Sequence, residues 1–189
     1  MQIGILGGSF NPVHNGHLTI AREILRSGEV DEVWFMVSPL NPLKQDCTLL
    51  DDTLRLSMTH KAVGQEQGLR CSDYEFRLPR PSYTWHTLLS LEKDYPDDTF
   101  TLIIGADNWE HFSEWRNHDD IIRHNRILVY PRKGYSIDSA ALPSTVKCID
   151  MDTIDVSSTE IRRLLSLGED VSALVPASIM EMMTHYTNG

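Results

Sequence analysis

Residues 2 to 7 form a short apolar run that stops at Gly7-Gly8, and Leu18, Ala21, Ile24 and Leu25 then recur at helical spacing. The chain is therefore predicted to open as strand, glycine turn and helix. Val30 to Val37, with Val33, Trp34, Phe35 and Val37, predicts a second strand. Pro39 and Pro42 forbid a helix directly after it, which leaves a loop carrying Lys44. Helical patterns follow over about 51 to 65 and 84 to 95, with short strands near 69 to 73 and 99 to 104. Thr99 to Ile104 is the clearest inner strand. Ile127 to Tyr130 predicts another, before a turn-rich surface loop over 131–145. Val146 to Asp150 then leads to Ser157-Ser158-Thr159-Glu160, the head of an amphipathic helix with Ile161, Leu164 and Leu165, and a last short helix begins after Pro176.

Strands alternating with helices imply an α/β fold on a mostly parallel sheet with a C-terminal helical segment, and ligands in such folds lie at the carboxyl ends of the strands. No internal repeat appears, and no linker is rich enough in Gly, Ser or Pro to divide the chain. One domain over 1–189, built on one core, is the expectation.

Charge narrows the partners. A formal net charge of -10 opposes broad affinity for nucleic acid or an anionic membrane, so neither is expected, and a polyanionic ligand would need local positive charge. Cys47, Cys71 and Cys148 are odd in number and widely spaced, which supports neither a disulfide framework nor a CxxC metal site and suits a reducing cytoplasm. No basic leader and no apolar run of about 18 residues predicts a signal peptide or a membrane span.

The candidate chemistry begins where the first strand ends, in Gly7-Gly8-Ser9-Phe10-Asn11-Pro12-Val13-His14-Asn15-Gly16-His17. Small residues let a ligand approach the backbone, a helix N-terminus is a ready anion site, and two histidines three apart share a helix face. His14 and His17 are thus placed to meet one phosphate chain. Neither the GxxxxGK[ST] loop nor the GxGxxG fingerprint is present, and no HExxH spacing supports a protein-bound metal. A surface histidine pair is the plain alternative, which the neighbouring glycines, strand end and helix start argue against.

Gly8-Ser9-Phe10-x-Pro12-x-His14-x-Gly16-His17 resembles the signature of the nucleotidyltransferases related to class I aminoacyl-tRNA synthetases. Seven fixed positions would match by chance about once in 10⁷ chains of this size. The family's second element, an ISSTxIR-like helix start, is similar to Val156-Ser157-Ser158-Thr159-Glu160-Ile161-Arg162, where Ser158 and Arg162 are four apart and can face one phosphate. A capping box with a solvated Arg is the alternative there. Three further features resemble the nicotinate-nucleotide adenylyltransferases: Ser82-Tyr83-Thr84-x-x-Thr87, Gly105-Ala106-Asp107 after a strand, and Phe112-x-x-Trp115. The resemblance implies that the first holds the pyridine mononucleotide, the second reaches a ribose of the adenylate half, and Trp115 stacks on the pyridine ring. Taken singly, Thr84 reads equally as a helix N-cap, Asp107 as the cap of its following helix and Trp115 as core filler. The chain departs from the family's Pro-Pro-His-Lys at Asn41-Pro42-Leu43-Lys44, keeping Lys44, and has His86 where Asp is common.

The resemblance implies a Rossmann-like doubly wound sheet and adenylyl transfer from ATP to nicotinic acid mononucleotide, giving deamido-NAD and pyrophosphate in NAD biosynthesis. His14, His17, Lys44 and Arg162 are then the expected catalytic residues. Gly7, Gly8, Ser9, Phe10, Gly16, Gly105, Asp107, Ser158 and Thr159 are expected at ATP, and Ser82, Tyr83, Thr84, Trp115 and Arg132 at the mononucleotide. Magnesium is expected to arrive on ATP. A homo-oligomer is compatible with all of this. The competing readings are pantetheine-phosphate adenylyltransferase, which needs no stacking platform, and a nucleotide-binding regulator without turnover. A tRNA synthetase fails on length and charge.

Overall fold

Strands buried on both faces need apolar side chains at successive positions, and the chain supplies such runs for a parallel sheet flanked by helices. The computed structural model describes residues 1–39, 49–64 and 66–186. Within them, β1 (Gln2–Gly8), β2 (Glu32–Val37), β3 (Leu69–Ser72), β4 (Thr99–Gly105), β5 (Arg126–Tyr130) and β6 (Val146–Cys148) form one all-parallel sheet in the order β3-β2-β1-β4-β5-β6. The sheet is Rossmann-like and doubly wound: the chain moves outward from β1 to β3, returns, and moves outward the other way from β4.

Side chains alternate across this sheet. Val33, Phe35 and Val37 of β2, Ile103 of β4 and Leu128 of β5 meet α1 (Asn15–Arg26), α2 (Asp52–Val63) and α6 (Ser158–Ser166) on one face. Trp34, Met36, Phe100, Leu102, Ile104, Ile127 and Val129 meet α3 (Thr84–Asp94), α4 (Ala106–Glu110) and α5 (His118–His124) on the other. The single core expected from the sequence is therefore two cores separated by the sheet. The final helical segment, Ala177–Tyr186, is a 3-10 helix packed on the first face. The short helices α4 and α5 follow β4 with too few residues for a periodic pattern to reveal them.

Register brings the important strand ends together. Gly8 pairs with Val37, and Leu6 with Ile103, so β1, β2 and β4 finish along one edge. The strand order reverses between β1 and β4, and at such a switch point the two departing connections leave a crevice.

Candidate active site

A cavity of about 460 Å³ opens at this crevice, lined by Gly7, Gly8, Ser9 and Gly105 from the strand ends and by Ser82, Tyr83, Thr84 and Trp115 from the loops. The absent side chain of Gly105 matters here, because a Cβ would stand 2.3 Å from Asp107 Oδ1. At Gly16 a Cβ would stand 2.9 Å from Ile154 and 3.0 Å from His14 Nδ1, so the imidazole position depends on glycine.

His14 is the N-cap of α1, and His17 is its third helical residue. His14 Nδ1 accepts the His17 N–H at 3.3 Å, while His17 Nδ1 accepts the His14 N–H at 3.2 Å. This is a capping box built from two imidazoles in place of Ser and Glu. A backbone N–H can only donate, so each Nδ1 carries a lone pair and each ring proton sits on Nε2. The rings stack with centroids 3.6 Å apart and planes at 21°. Two Nε2–H groups on stacked rings result. His14 is 2% exposed, and burial first, then the charge of Arg132, lowers its pKa to about 3. Around neutral pH it is a neutral donor.

Phe10 supports this pair from below. It is buried, with φ of 46°, and its ring stands edge-on to His17 at 5.0 Å, directly under Gly8. Phe10, expected at ATP, is thus buried under the loop, with its backbone and its packing against Gly8 and His17 as the means by which it shapes this end of the site.

The start of α6 is fastened to the same loop. Ser157 is the N-cap and accepts the Glu160 N–H at 3.2 Å. Ser158 Oγ donates to the Pro12 carbonyl at 2.9 Å, so its hydroxyl proton is already committed. Arg162 donates to the Asn11 carbonyl at 2.7 Å and to Thr159 Oγ1 at 3.3 Å. The solvated cation is Arg163, paired with Glu160 at 2.7 Å. Arg162 is half-buried against the glycine-rich loop instead.

Asp107 Oδ1 and Arg132 Nε lie 3.6 Å apart, both shielded from solvent and without hydrogen-bond partners among the described residues. The guanidinium lies 5.4 Å from the Tyr130 ring centre. Arg132 thus groups with Asp107 and His14, away from the cavity wall that holds Ser82, Tyr83, Thr84 and Trp115. Arg132, expected at the mononucleotide, is thus not among the residues that line this cavity. Lys44, with Asn41, Pro42 and Leu43, lies outside the described residues.

On the opposite wall, Tyr83 is the N-cap of α3, and no side chain caps that helix. Thr84 is therefore its first residue, and the N–H groups of its first turn stand beside the cavity. Ser82 Oγ and Thr87 Oγ1 donate to the buried Glu75 at 3.0 and 2.9 Å, pinning both sides of this helix start. Trp115 is half-buried against Phe112, with ring centres 5.1 Å apart, and its remaining surface faces the cavity. His86 is exposed and edge-on to Tyr83.

Three contributors escaped the sequence. Glu75 and Arg116, which lies over the Tyr83 ring at 4.7 Å, carried no signal, since each reads as an ordinary surface charge. Arg55 did carry one: it shares a helix face with Met58 and Val63, three and eight residues on, where a charge is out of place. It is 0% exposed and donates to the carbonyls of Leu50, Ser9, Ser38 and Pro39 and to Asp52, an acceptor for each of about five guanidinium donors. The ends of β1 and β2 are joined through it.

Residues 5–164 match the cytidylyltransferase-like family. A relative in Bacteroides thetaiotaomicron named "Probable nicotinate-nucleotide adenylyltransferase" is 46% identical over 98% of this chain and 92% of its own. A Flavobacterium johnsoniae relative of the same name is 40% identical over 98% of this chain and 97% of its own. Nicotinic acid mononucleotide adenylyltransferase of Plasmodium falciparum, solved in complex with NaAD, superposes with a TM-score of 0.83 over 99% of this chain and 96% of that one. At 18% identity, that is a likeness of fold.

Proposed function

The chain belongs to the nicotinate-nucleotide adenylyltransferases, and from that premise we propose how its own residues carry the reaction. The enzyme transfers an adenylyl group from ATP to nicotinic acid mononucleotide, giving deamido-NAD and pyrophosphate in NAD biosynthesis. A 5′-phosphate oxygen of the mononucleotide attacks the α-phosphorus in line. Its new P–O bond forms as the bond to the bridging oxygen of the β-phosphate breaks, and pyrophosphate leaves with that electron pair. No protein nucleophile is needed, so catalysis rests on positioning and on charge.

The observation that carries this reading is the stacked His14–His17 pair at the end of the loop that begins with the cavity-lining Gly7, Gly8 and Ser9. Two Nε2–H donors with settled tautomers suit the oxygens around a reacting phosphorus. Arg162 and Lys44 add charge for the triphosphate, and Arg132 joins them from beside Asp107. Gly7, Gly8, Ser9 and Gly16 keep side chains out of the way, and Ser158 and Thr159 hold the head of α6 against them. Gly105 and Asp107 serve the adenylate ribose. Magnesium enters as part of the MgATP substrate, held by phosphate oxygens. On the far wall, Trp115 stacks on the pyridine ring, and the first turn of α3 after Ser82, Tyr83 and Thr84 offers N–H donors to its carboxylate.

One nucleotidyltransferase unit over 1–189, in a cytoplasmic setting, belongs to the same proposal. It is supported by the continuous sheet and by the free thiols Cys71 and Cys148. Among the described residues no helix is long and apolar enough to cross a membrane. The direct test is to mix the protein with MgATP and nicotinic acid mononucleotide and follow pyrophosphate and deamido-NAD. Equal release of the two products is expected, with none when either substrate is omitted. Binding without release would make the chain a nucleotide-binding regulator.

A further inference from the structure

Arg116 has a place in the fold that the reaction as described leaves unused. It is exposed, lines the cavity and lies over the Tyr83 ring at 4.7 Å, a stacking arrangement that holds a guanidinium plane while leaving its N–H edge available. The acids nearby are engaged with other groups. Glu114 pairs with His111 at 3.2 Å, Asp119 with His118 at 3.3 Å, and Asp120 with Arg123 at 3.0 Å. Among the described residues no carboxylate lies within ion-pair distance of Arg116.

Its neighbours say which part of a ligand it would meet. Trp115, the flat wall, is adjacent in sequence, and Tyr83 is the residue from which α3 starts. The histidine pair is not in the wall that Arg116 shares with these aromatic groups. A ligand with its phosphates at His14 and His17 and its ring on Trp115 would present the ring substituent, and not a phosphate, to Arg116.

We infer that Arg116 is a specificity residue, whose guanidinium pairs with the pyridine carboxylate of the mononucleotide and favours the acid over the amide. This rests on reading the cavity as the mononucleotide site. A guanidinium has donors only: a carboxylate can accept two of them side by side, whereas a carboxamide offers one acceptor oxygen and turns an NH₂ group toward the others. Cation–π contact with Tyr83 keeps the fork oriented in the empty site, so little ordering remains when the carboxylate arrives.

The test compares wild type, Arg116→Met and Arg116→Lys with nicotinic acid mononucleotide and nicotinamide mononucleotide at saturating MgATP. In Arg116→Met, kcat/KM for the acid is expected to fall about tenfold or more beyond any fall for the amide, and Arg116→Lys is expected to recover part of that difference. Equal falls for both substrates would place Arg116 at a phosphate or in the scaffold and overturn the inference, as would an unchanged ratio. Calorimetric binding of the two mononucleotides reads the same ratio without turnover. A wild type that binds the acid in preference but forms no product therefore overturns the reaction and not the contact, and one that binds neither overturns both.

Discussion

His14 and His17 cap α1 for each other, each Nδ1 taking the other's backbone N–H, and this mutual capping turns two stacked imidazoles into a pair of Nε2–H donors. Helix termination thus occupies one edge of each ring and leaves the Nε2–H edge to the reaction proposed above. His17→Ala is expected to lower kcat by 10²-fold or more, about 2.7 kcal/mol, with a smaller effect on the mononucleotide KM. Loss of half the capping box should also cost about 1 kcal/mol of stability. Steady-state kinetics beside urea unfolding separate the two. A folded variant with near wild-type kcat would remove His17 from the mechanism.

The burial of His14 predicts acid sensitivity. Its pKa is lowered from an ordinary 6.5 to about 3, so below pH 6.5 the unfolded chain takes up a proton that the folded chain refuses. The stability contributed by this neutral histidine is full above 6.5 and lost as pH falls toward 3. His14→Asn keeps a side-chain acceptor for the His17 N–H and removes the titration. Between pH 7 and 5, wild type should lose about 2 kcal/mol more stability than His14→Asn in urea unfolding. Parallel losses would show that His14 titrates normally in the folded protein.

Arg162→Ala is expected to raise the KM for ATP by more than twofold with the fold intact. The guanidinium holds the Asn11 carbonyl, and removing it also costs about 1 kcal/mol of stability. A KM for ATP within twofold of wild type would reduce Arg162 to a fastening between α6 and the loop.

For Arg55→Met the expected loss is larger, about 3 to 5 kcal/mol, because one side chain leaves four carbonyls and the partner Asp52 without their donor. Arg55→Lys should recover little, since an ammonium cannot span the same fork. Unfolding midpoints at constant cooperativity measure this directly. A small loss would mean that water replaces the guanidinium.

Nicotinic acid mononucleotide is expected to exceed nicotinamide mononucleotide in kcat/KM by about 10 to 100-fold, since an amide NH₂ facing the N–H groups of α3 leaves a donor unpaired. Trp115→Ala should weaken both substrates while leaving that ratio nearly unchanged, because the two pyridinium rings present the same face to the indole. Equal wild-type efficiencies would show that acceptors, and not donors, line the carboxylate end.

Much of the plan was legible in order along the chain. Short apolar runs ending in Gly7-Gly8 and Gly105 announced parallel strands, and the spacing of His14, Gly16 and His17 announced a shared helix face, because backbone geometry repeats at fixed local intervals. The residues that resemble the family's motifs fall, wherever they are described, around one sheet edge. What local spacing could not decide was which strands lie side by side: the β1–β4 neighbourhood joins residues about a hundred positions apart and creates the crevice. Nor could it decide the partners of charged side chains. Glu75 and Arg116 look alike as surface charges in sequence, yet the fold ties the first to two hydroxyls and sets the second over Tyr83, while Arg55, out of place on an apolar helix face, is buried among carbonyls that no local spacing names. Arg132, expected at the mononucleotide, likewise lies beside Asp107 and near His14. Periodicity reports which face a side chain takes, whereas the dielectric and the partners it meets there come from elements distant in sequence, and only their packing supplies them.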